Sequence, residues 1–342
     1  MCDDQVIASP PMPLYRAYGL TIDSALELPE LVAAAATAAA AATVTAAATA
    51  AASTAAAADD AVGAGLAGTP DLTIRFGAVS PDGIPGGQRT SSRNCVTATQ
   101  VWLNIEGVAR FLVSGGHSIT IDPAPGSDAE SIRLILLGYA VGVALGQRGL
   151  LVLHGNAVQV GGACMCVVGN SGAGKSTTSA GFWRRGHTVL ADDVVAVDSE
   201  CRVIPGFPRI KLWQESADRL AIDTAALQRI RPGADKFNLP TAAPADTPLP
   251  LRWVYVISVH DGPDLRLQPV SGLDRFEPLR SNTYVVRYLK GMALEERHLV
   301  ACGRLASRIR LVKVSRPREG STPEAVVDAL AADMAAHPAD TP

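Results

Sequence analysis

The residues with the clearest chemistry lie near the middle of the chain, in Gly169-Asn170-Ser171-Gly172-Ala173-Gly174-Lys175-Ser176, followed by Thr177 and Thr178. The spacing fits GxxxxGK[ST]. In such a turn the backbone N–H groups converge on phosphate oxygens, the lysine ammonium reaches the β- and γ-phosphates, and the serine hydroxyl can hold Mg²⁺. The motif works only between a strand and a helix. Residues 164–168 form an apolar run of strand length ahead of it, and residues 176–185 read as a helix of about three turns behind it, so the context is right.

Phosphoryl transfer also needs an acceptor for the proton of the attacking hydroxyl. His154 and the pair Asp192-Asp193 are the candidates. Residues 150–160 read as a strand carrying His154, and a tight hairpin at Gly161-Gly162 leads from it into the loop strand. Residues 188–191 read as a short apolar strand ending in Asp192-Asp193, followed by another apolar run at 194–197. Neighbours within a strand face opposite ways, but at its end both carboxylates can turn inward, one to a metal and one to the incoming hydroxyl. On these residues alone, a solvated turn for the aspartates and a satisfied buried histidine for His154 stand as equal alternatives.

The rest of the chain has to position these groups. Residues 14–28 alternate as a strand and turn, and residues 71–76, 100–105, 109–113 and 118–122 alternate as further strands, the pattern of a small antiparallel sheet. Between them, residues 33–68 are alanine with occasional Thr, Ser, Asp and Gly; with no large side chain to bury, they read as an insertion or linker. The uncharged run 31–58 exceeds a bilayer span in length but is too weakly apolar to insert well. Ser127 or Asp128 can cap a helix reaching about Gln147, whose Ile132, Ile135, Leu136, Tyr139, Val143 and Leu145 predict burial on most sides. Beyond the aspartates, the pattern predicts a helix over 214–227, a loop over 231–250 able to close on substrate, strands over 251–259, 265–269 and 308–314, and helices over 281–290 and 294–307. A last helix over 323–336 has Thr322 as its cap. The expected fold class is α/β, with an N-terminal β-rich domain over 1–125 and a P-loop domain over 126–342.

The net charge of −3, from 30 basic and 33 acidic residues, gives no electrostatic footprint for nucleic acid and points to small-molecule or protein partners. Six cysteines without CxxC spacing or a histidine pair suggest neither zinc nor a redox motif, and Cys164 and Cys166 read as packing thiols. The acidic opening Met1-Cys2-Asp3-Asp4, with Pro10, Pro11 and Pro13 after it, does not read as an export signal, so a cytoplasmic protein without membrane association is expected. The series Arg297, His298, Arg304, Arg308, Arg310, Lys313, Arg316 and Arg318 straddles a helix, a turn and a strand, which favours a solvated face over an anion-binding one.

Taken in order, His154-Gly155, the loop ending Gly174-Lys175-Ser176, and Arg185-Gly186-His187 with Asp192-Asp193 resemble the catalytic core of the bacterial HPr kinase/phosphorylase family. The resemblance implies a fold related to phosphoenolpyruvate carboxykinase, ATP and Mg²⁺ as cofactors, and phosphorylation of a serine on a protein. By it, Asp192 would be the general base, Asp193 would assist the metal or phosphate, and His154 would lie against the phosphates. The family's glutamate-arginine-glycine-leucine-glycine signature is absent. Residues 207–215 stand in its place, with Glu215 as the remaining candidate for a second metal carboxylate. A later family arginine has only Lys236 and Arg252 as stand-ins. The Tyr15-Arg-Ala-Tyr-Gly-Leu opening, Pro208-Arg-Ile-Lys-Leu-Trp213 and Asp235-Lys-Phe-Asn238 are similar to HPr-kinase-related proteins of peptide-modification clusters, among them lasso-peptide kinases that phosphorylate a precursor's C-terminal serine.

The expected function is thus an ATP-dependent, Mg²⁺-requiring serine kinase acting on a peptide or small protein. Its expected catalytic residues are Asp192, His154 and Lys175, its metal ligands Ser176 and Asp193, and its nucleotide cradle Gly169 to Thr177. A phosphocarrier kinase/phosphorylase and a nucleotide-binding regulatory protein without transfer activity are the alternatives, and homo-oligomerisation is left open.

Overall fold

The computed structural model describes residues 14–33, 69–320 and 322–338. Apart from Ala33, the alanine-rich segment expected as an insertion lies outside the described residues, as do Cys2 and the acidic opening. The fold is mixed α/β with separate sheets. Among the described residues, nine strands form the first: β1 (Leu14–Ala17), β2 (Leu20–Ser24), β3 (Val32–Ala33), β4 (Leu72–Phe76), β5 (Gln88–Ser91), β6 (Asn94–Val96), β7 (Gln100–Ile105), β8 (Ala109–Ser114) and β9 (Ser118–Pro123), in the order β3-β1-β2-β4-β9-β8-β7-β6-β5. The alternation that marked these strands survives as alternating burial in β2, β4 and β8. The sheet is not purely antiparallel as expected, because β4 runs parallel to both β2 and β9. Parallel neighbours need a long connection, and the separations from β2 to β4 and from β4 to β9 supply it.

Helix α1 (Ala129–Gln147) follows, capped by Asp128, whose Oδ1 accepts from Ser131 N at 2.7 Å. It is long and apolar enough to cross a bilayer, yet 72% of its apolar window is buried inside the protein, as in a core helix. One apolar cluster joins residues of the first sheet to Ile132, Leu136, Val141 and Val143 of α1 and continues to Val152, Val194 and Ala196 of the second sheet. Halfway along, residues Leu136–Ala140 form a π-helical turn.

The second sheet is built from β10 (Leu151–Val160), β11 (Ala163–Gly169), β12 (Val189–Val197), β13 (Arg202–Ile204), β16 (Leu249–His260), β17 (Arg266–Val270) and β18 (Arg310–Pro317). Its order is β11-β10-β12-β13-β16-β18-β17, and β16 also pairs with β11, so five of its strands close into a ring. Strands β11, β16 and β18 run parallel, while β10 is antiparallel to both β11 and β12. Between β11 and β12 lies α2 (Lys175–Arg184). The chain closes on α6 (Pro323–Ala336), capped by Thr322 Oγ1 as the sequence predicts.

Several expectations need correction. The helix over 214–227 is only α3 (Gln214–Arg219), because Ala221 takes a left-handed φ of 49° and turns the chain away. The expected loop over 231–250 contains β15 (Lys236–Pro240), which pairs with β14 (Arg209–Trp213) in a separate two-stranded ribbon. In place of a helix over 281–290, α4 (Phe276–Ser281) ends early because the following backbone bonds to β10: His154 N donates to Asn282 O and Tyr284 N to Val152 O. Helix α5 (Glu295–Arg308) falls close to its expected place.

The basic series is not a single solvated face. His298 is buried against Thr283 Oγ1 at 2.7 Å, Arg310 forms an ion pair with Asp333, and Arg316 reaches the Ala173 carbonyl of the glycine turn. The five described cysteines are free and buried, and burial pushes the Cys166 thiol up to about 12, as befits packing groups.

Candidate functional site

The glycine turn is shaped by what surrounds it. At Gly169 φ is 139°, and a Cβ there would stand 2.2 Å from the Ile257 carbonyl oxygen, so this position admits no side chain. Gly172 and Gly174 also have positive φ, and Gly174 caps α2 with no side chain of its own to satisfy the first N–H groups. Donors at a helix N-terminus left without a cap are the kind that an anion can satisfy. Lys175 Nζ donates to Gly169 O at 2.7 Å and Asn170 O at 3.2 Å, which folds the lysine along the turn. From β18, Arg316 Nε donates to Ala173 O at 2.8 Å and braces the turn from outside.

Strands β10 and β12 bring the remaining chemistry beside the turn, with Asn156 opposite Asp192 and Gly155 opposite Asp193. His154 and Asn156 lie two residues apart and so share one face of β10. Asp192 Oδ1 accepts from Asn156 Nδ2 at 2.6 Å and from Ser176 Oγ at 3.3 Å, while its Oδ2 accepts from the Lys211 backbone N–H at 3.1 Å. Asp193 Oδ2 pairs with Lys211 Nζ at 2.6 Å and Oδ1 lies 3.2 Å from His154 Nδ1.

The aspartates are not at a strand end, as the sequence suggested; they lie inside the continuous strand β12. Both still face the cavity because Asp193 has φ of 74°, which breaks the alternation that would otherwise turn it away. A non-glycine residue in that region is a strained position, and this one sits among reactive side chains.

The surrounding packing holds this geometry. Tyr18 Oη donates to Val194 O at 2.9 Å, tying the first sheet to the residue after Asp193. The π-turn of α1 presents Gly138 to Asp193, and a Cβ there would lie 3.4 Å from Asp193 Oδ2 and 3.2 Å from Tyr284 Oη. The Tyr284 ring in turn packs 5.3 Å from that of His154. Glu30 anchors the ribbon: its Oε1 takes Arg133 Nε at 3.1 Å and stands 3.7 Å from Arg209 Nη1.

Electrostatics follow the same contacts. Burial works to raise the Asp193 pKa, but Lys211 and then His154 outweigh it and hold the carboxyl well below the usual range. Burial lowers the His154 pKa against the opposing pull of Asp193. Burial likewise pulls the Lys175 and Lys236 ammonium groups below ordinary lysine values.

These residues line a cavity of about 330 Å³. It brings together His154, Ser171, Gly172, Gly174, Lys175, Ser176, Thr177, Asp192 and Asp193 from the sequence candidates. Glu215 is on the rim but pairs with Arg219 at 2.6 Å, while Arg252 lines a different cavity. Lys236 does reach the site.

Sequence reasoning assigned no role to Asn156, Lys211, Trp213 or Arg219 and left Arg316 in a solvated series. Asn156 was legible as the residue two along from His154. Lys211 was not, because only the β14–β15 pairing brings it inward. Among the described residues no cluster of three or more His, Cys, Asp or Glu could hold a metal by itself. The hard oxygens of Ser176 and Asp192 instead fit Mg²⁺, which keeps water and substrate phosphates in its shell.

No protein-family model matches the sequence, and no curated protein matches it. Among solved structures, the chain is similar to the HPr(Ser) kinase/phosphatase from Coxiella burnetii at 12% identity, over 54% of this chain and 97% of that chain, with a TM-score of 0.26. So loose an alignment transfers no residue roles, and the chemistry has to be read from this chain's own side chains.

Proposed function

We propose that this chain is an ATP-dependent kinase that moves the γ-phosphoryl group to a hydroxyl, a serine of a peptide or small protein. The observation that carries the reading is the Ser176–Asp192 hydrogen bond of 3.3 Å beside Asp193, which its left-handed backbone turns into the same cavity. The turn's N–H groups and Lys175 bind the phosphates. Mg²⁺, held by Ser176 with Asp192 behind it, would supply charge neutralisation at the phosphates.

The bond to Ser176 commits Asp192 to the metal side. Asp193, held ionised by Lys211 and His154, is then the carboxylate that accepts a hydrogen bond from the acceptor hydroxyl and orients it, the proton passing to the transferred phosphoryl oxygens as the new P–O bond forms and the bond to ADP breaks. These roles are the reverse of those implied by the family resemblance. The acceptor class rests on that motif resemblance, and short precursor peptides with a C-terminal serine are the first acceptors to try.

Incubation of the purified protein with labelled ATP and candidate peptides tests the proposal. Lys175→Ala and Asp192→Asn should retain the circular dichroism of the parent and lose transfer by about 10²-fold or more. Full activity in either variant would remove the mechanism. ATP binding by calorimetry without transfer or hydrolysis would replace it with a regulatory nucleotide-binding role.

A further inference from the structure

The cations around the cavity differ in how their charge is used. Lys175 donates to the carbonyls of Gly169 and Asn170, Lys211 pairs with Asp193, Arg219 pairs with Glu215, and Arg316 holds Ala173 and Gly172. Among the described residues, the Lys236 ammonium has no hydrogen-bond or ion-pair partner; Nζ rests 5.3 Å from the centre of the Trp213 ring. Trp213 is itself 49% exposed, an unusual setting for a large apolar ring unless something covers it.

The ribbon explains the arrangement. Trp213 stands opposite Lys236 in the β14–β15 register, and Lys211 lies two residues before Trp213, so all three share one face. That face lines the cavity. Lys211 and Lys175 both lie close enough to Lys236 to repel it, and Asp192 and Asp193 close enough to attract it. A half-buried ammonium kept among other ammonium groups, with only an aromatic face against it, is poorly satisfied, since a ring is a weaker partner than a phosphate oxygen. On the lysine side of the cavity, where Lys175 and Lys236 both line the wall, a phosphoryl oxygen would give the Lys236 ammonium the partner it lacks.

We propose that Lys236, parked on the indole of Trp213, is the cation that receives the terminal phosphoryl group, which makes the β14–β15 ribbon the element that distinguishes a nucleoside triphosphate from a diphosphate. The inference rests on the kinase reading and adds to it a discriminating residue and a movement. On triphosphate binding the ammonium leaves the ring for the phosphoryl oxygens, while a diphosphate, ending at the glycine turn, leaves it in place.

The test is titration calorimetry of the full chain with Mg-ATP and Mg-ADP, alongside tryptophan emission. The parent should bind ATP more tightly than ADP, and Lys236→Met should weaken ATP by about tenfold or more while leaving ADP within about twofold. Unchanged ADP affinity also shows that the variant is folded; if Lys236→Met does not fold, Lys236→Gln serves in its place. ATP, but not ADP, should change the emission of the parent, and Trp213→Phe should abolish that change. An ATP preference retained in the lysine variant, or equal loss of both nucleotides, overturns the proposal while leaving the kinase reading intact. A parent that binds neither nucleotide overturns both.

Discussion

Asp193→Asn is expected to lower kcat by about 10²-fold or more, the cost of misplacing the acceptor hydroxyl that the carboxylate orients, with little change in nucleotide affinity. It should also destabilise the protein. The carboxylate is the ion-pair partner of Lys211, whose side chain is 7% exposed, and removing one member of a buried pair costs about 3–5 kcal/mol because the other charge is left alone. The double variant Asp193→Asn with Lys211→Met should therefore recover much of the lost stability and none of the activity. Denaturant unfolding and steady-state transfer rates separate the two effects; recovery of activity in the double variant would show that Asp193 acts only by neutralising the lysine. The pH dependence has a definite sign. Since the folded-state pKa of Asp193 lies below its unfolded value, the pair's contribution is present above the ordinary carboxylate pKa and is lost as pH falls through the depressed one, so the parent and double variant should converge in stability in acid.

Gly169→Ala is expected to be among the most destabilising single substitutions in the chain, by about 4 kcal/mol. The added Cβ would stand 2.2 Å from Ile257 O, at a position where Gly169 and Ile257 are register partners and φ is 139°. Backbone cannot swing aside as a flexible side chain can, so β11 and β16 must separate. Gly172→Ala is the control. Its φ of 79° is also unfavourable, but nothing lies within 4 Å, so only the left-handed penalty of about 1–2 kcal/mol applies. Equal costs for the two substitutions in chemical denaturation would mean that strand packing does not hold the loop.

The reach of the sequence is clearest where contacts are short in range. The strand, turn and helix around Lys175 were legible because glycine spacing, an apolar run and a helical segment are each encoded within a few residues. The same holds for the Asp128 and Thr322 caps and for the hairpin at Gly161-Gly162, where Val160 pairs with Ala163. The alternating strands of the first sheet were visible too, but the parallel placement of β4 was not, since alternation reports a strand's faces and is silent about its neighbours.

By itself, then, the sequence determined that a glycine turn stands between a strand and a helix and that a histidine and paired carboxylates accompany it. Tertiary structure alone decided how the two carboxylates are placed and what each one touches. That placement depends on the left-handed backbone at Asp193, on Asn156 and Ser176 meeting one oxygen of Asp192, and on a ribbon whose strands lie more than twenty residues apart in the chain bringing in Lys211 and Lys236. The last two are contacts between distant segments, and the strained backbone at Asp193 persists only because such contacts hold it; their free energy comes from burial and pairing that no local pattern of residue types records.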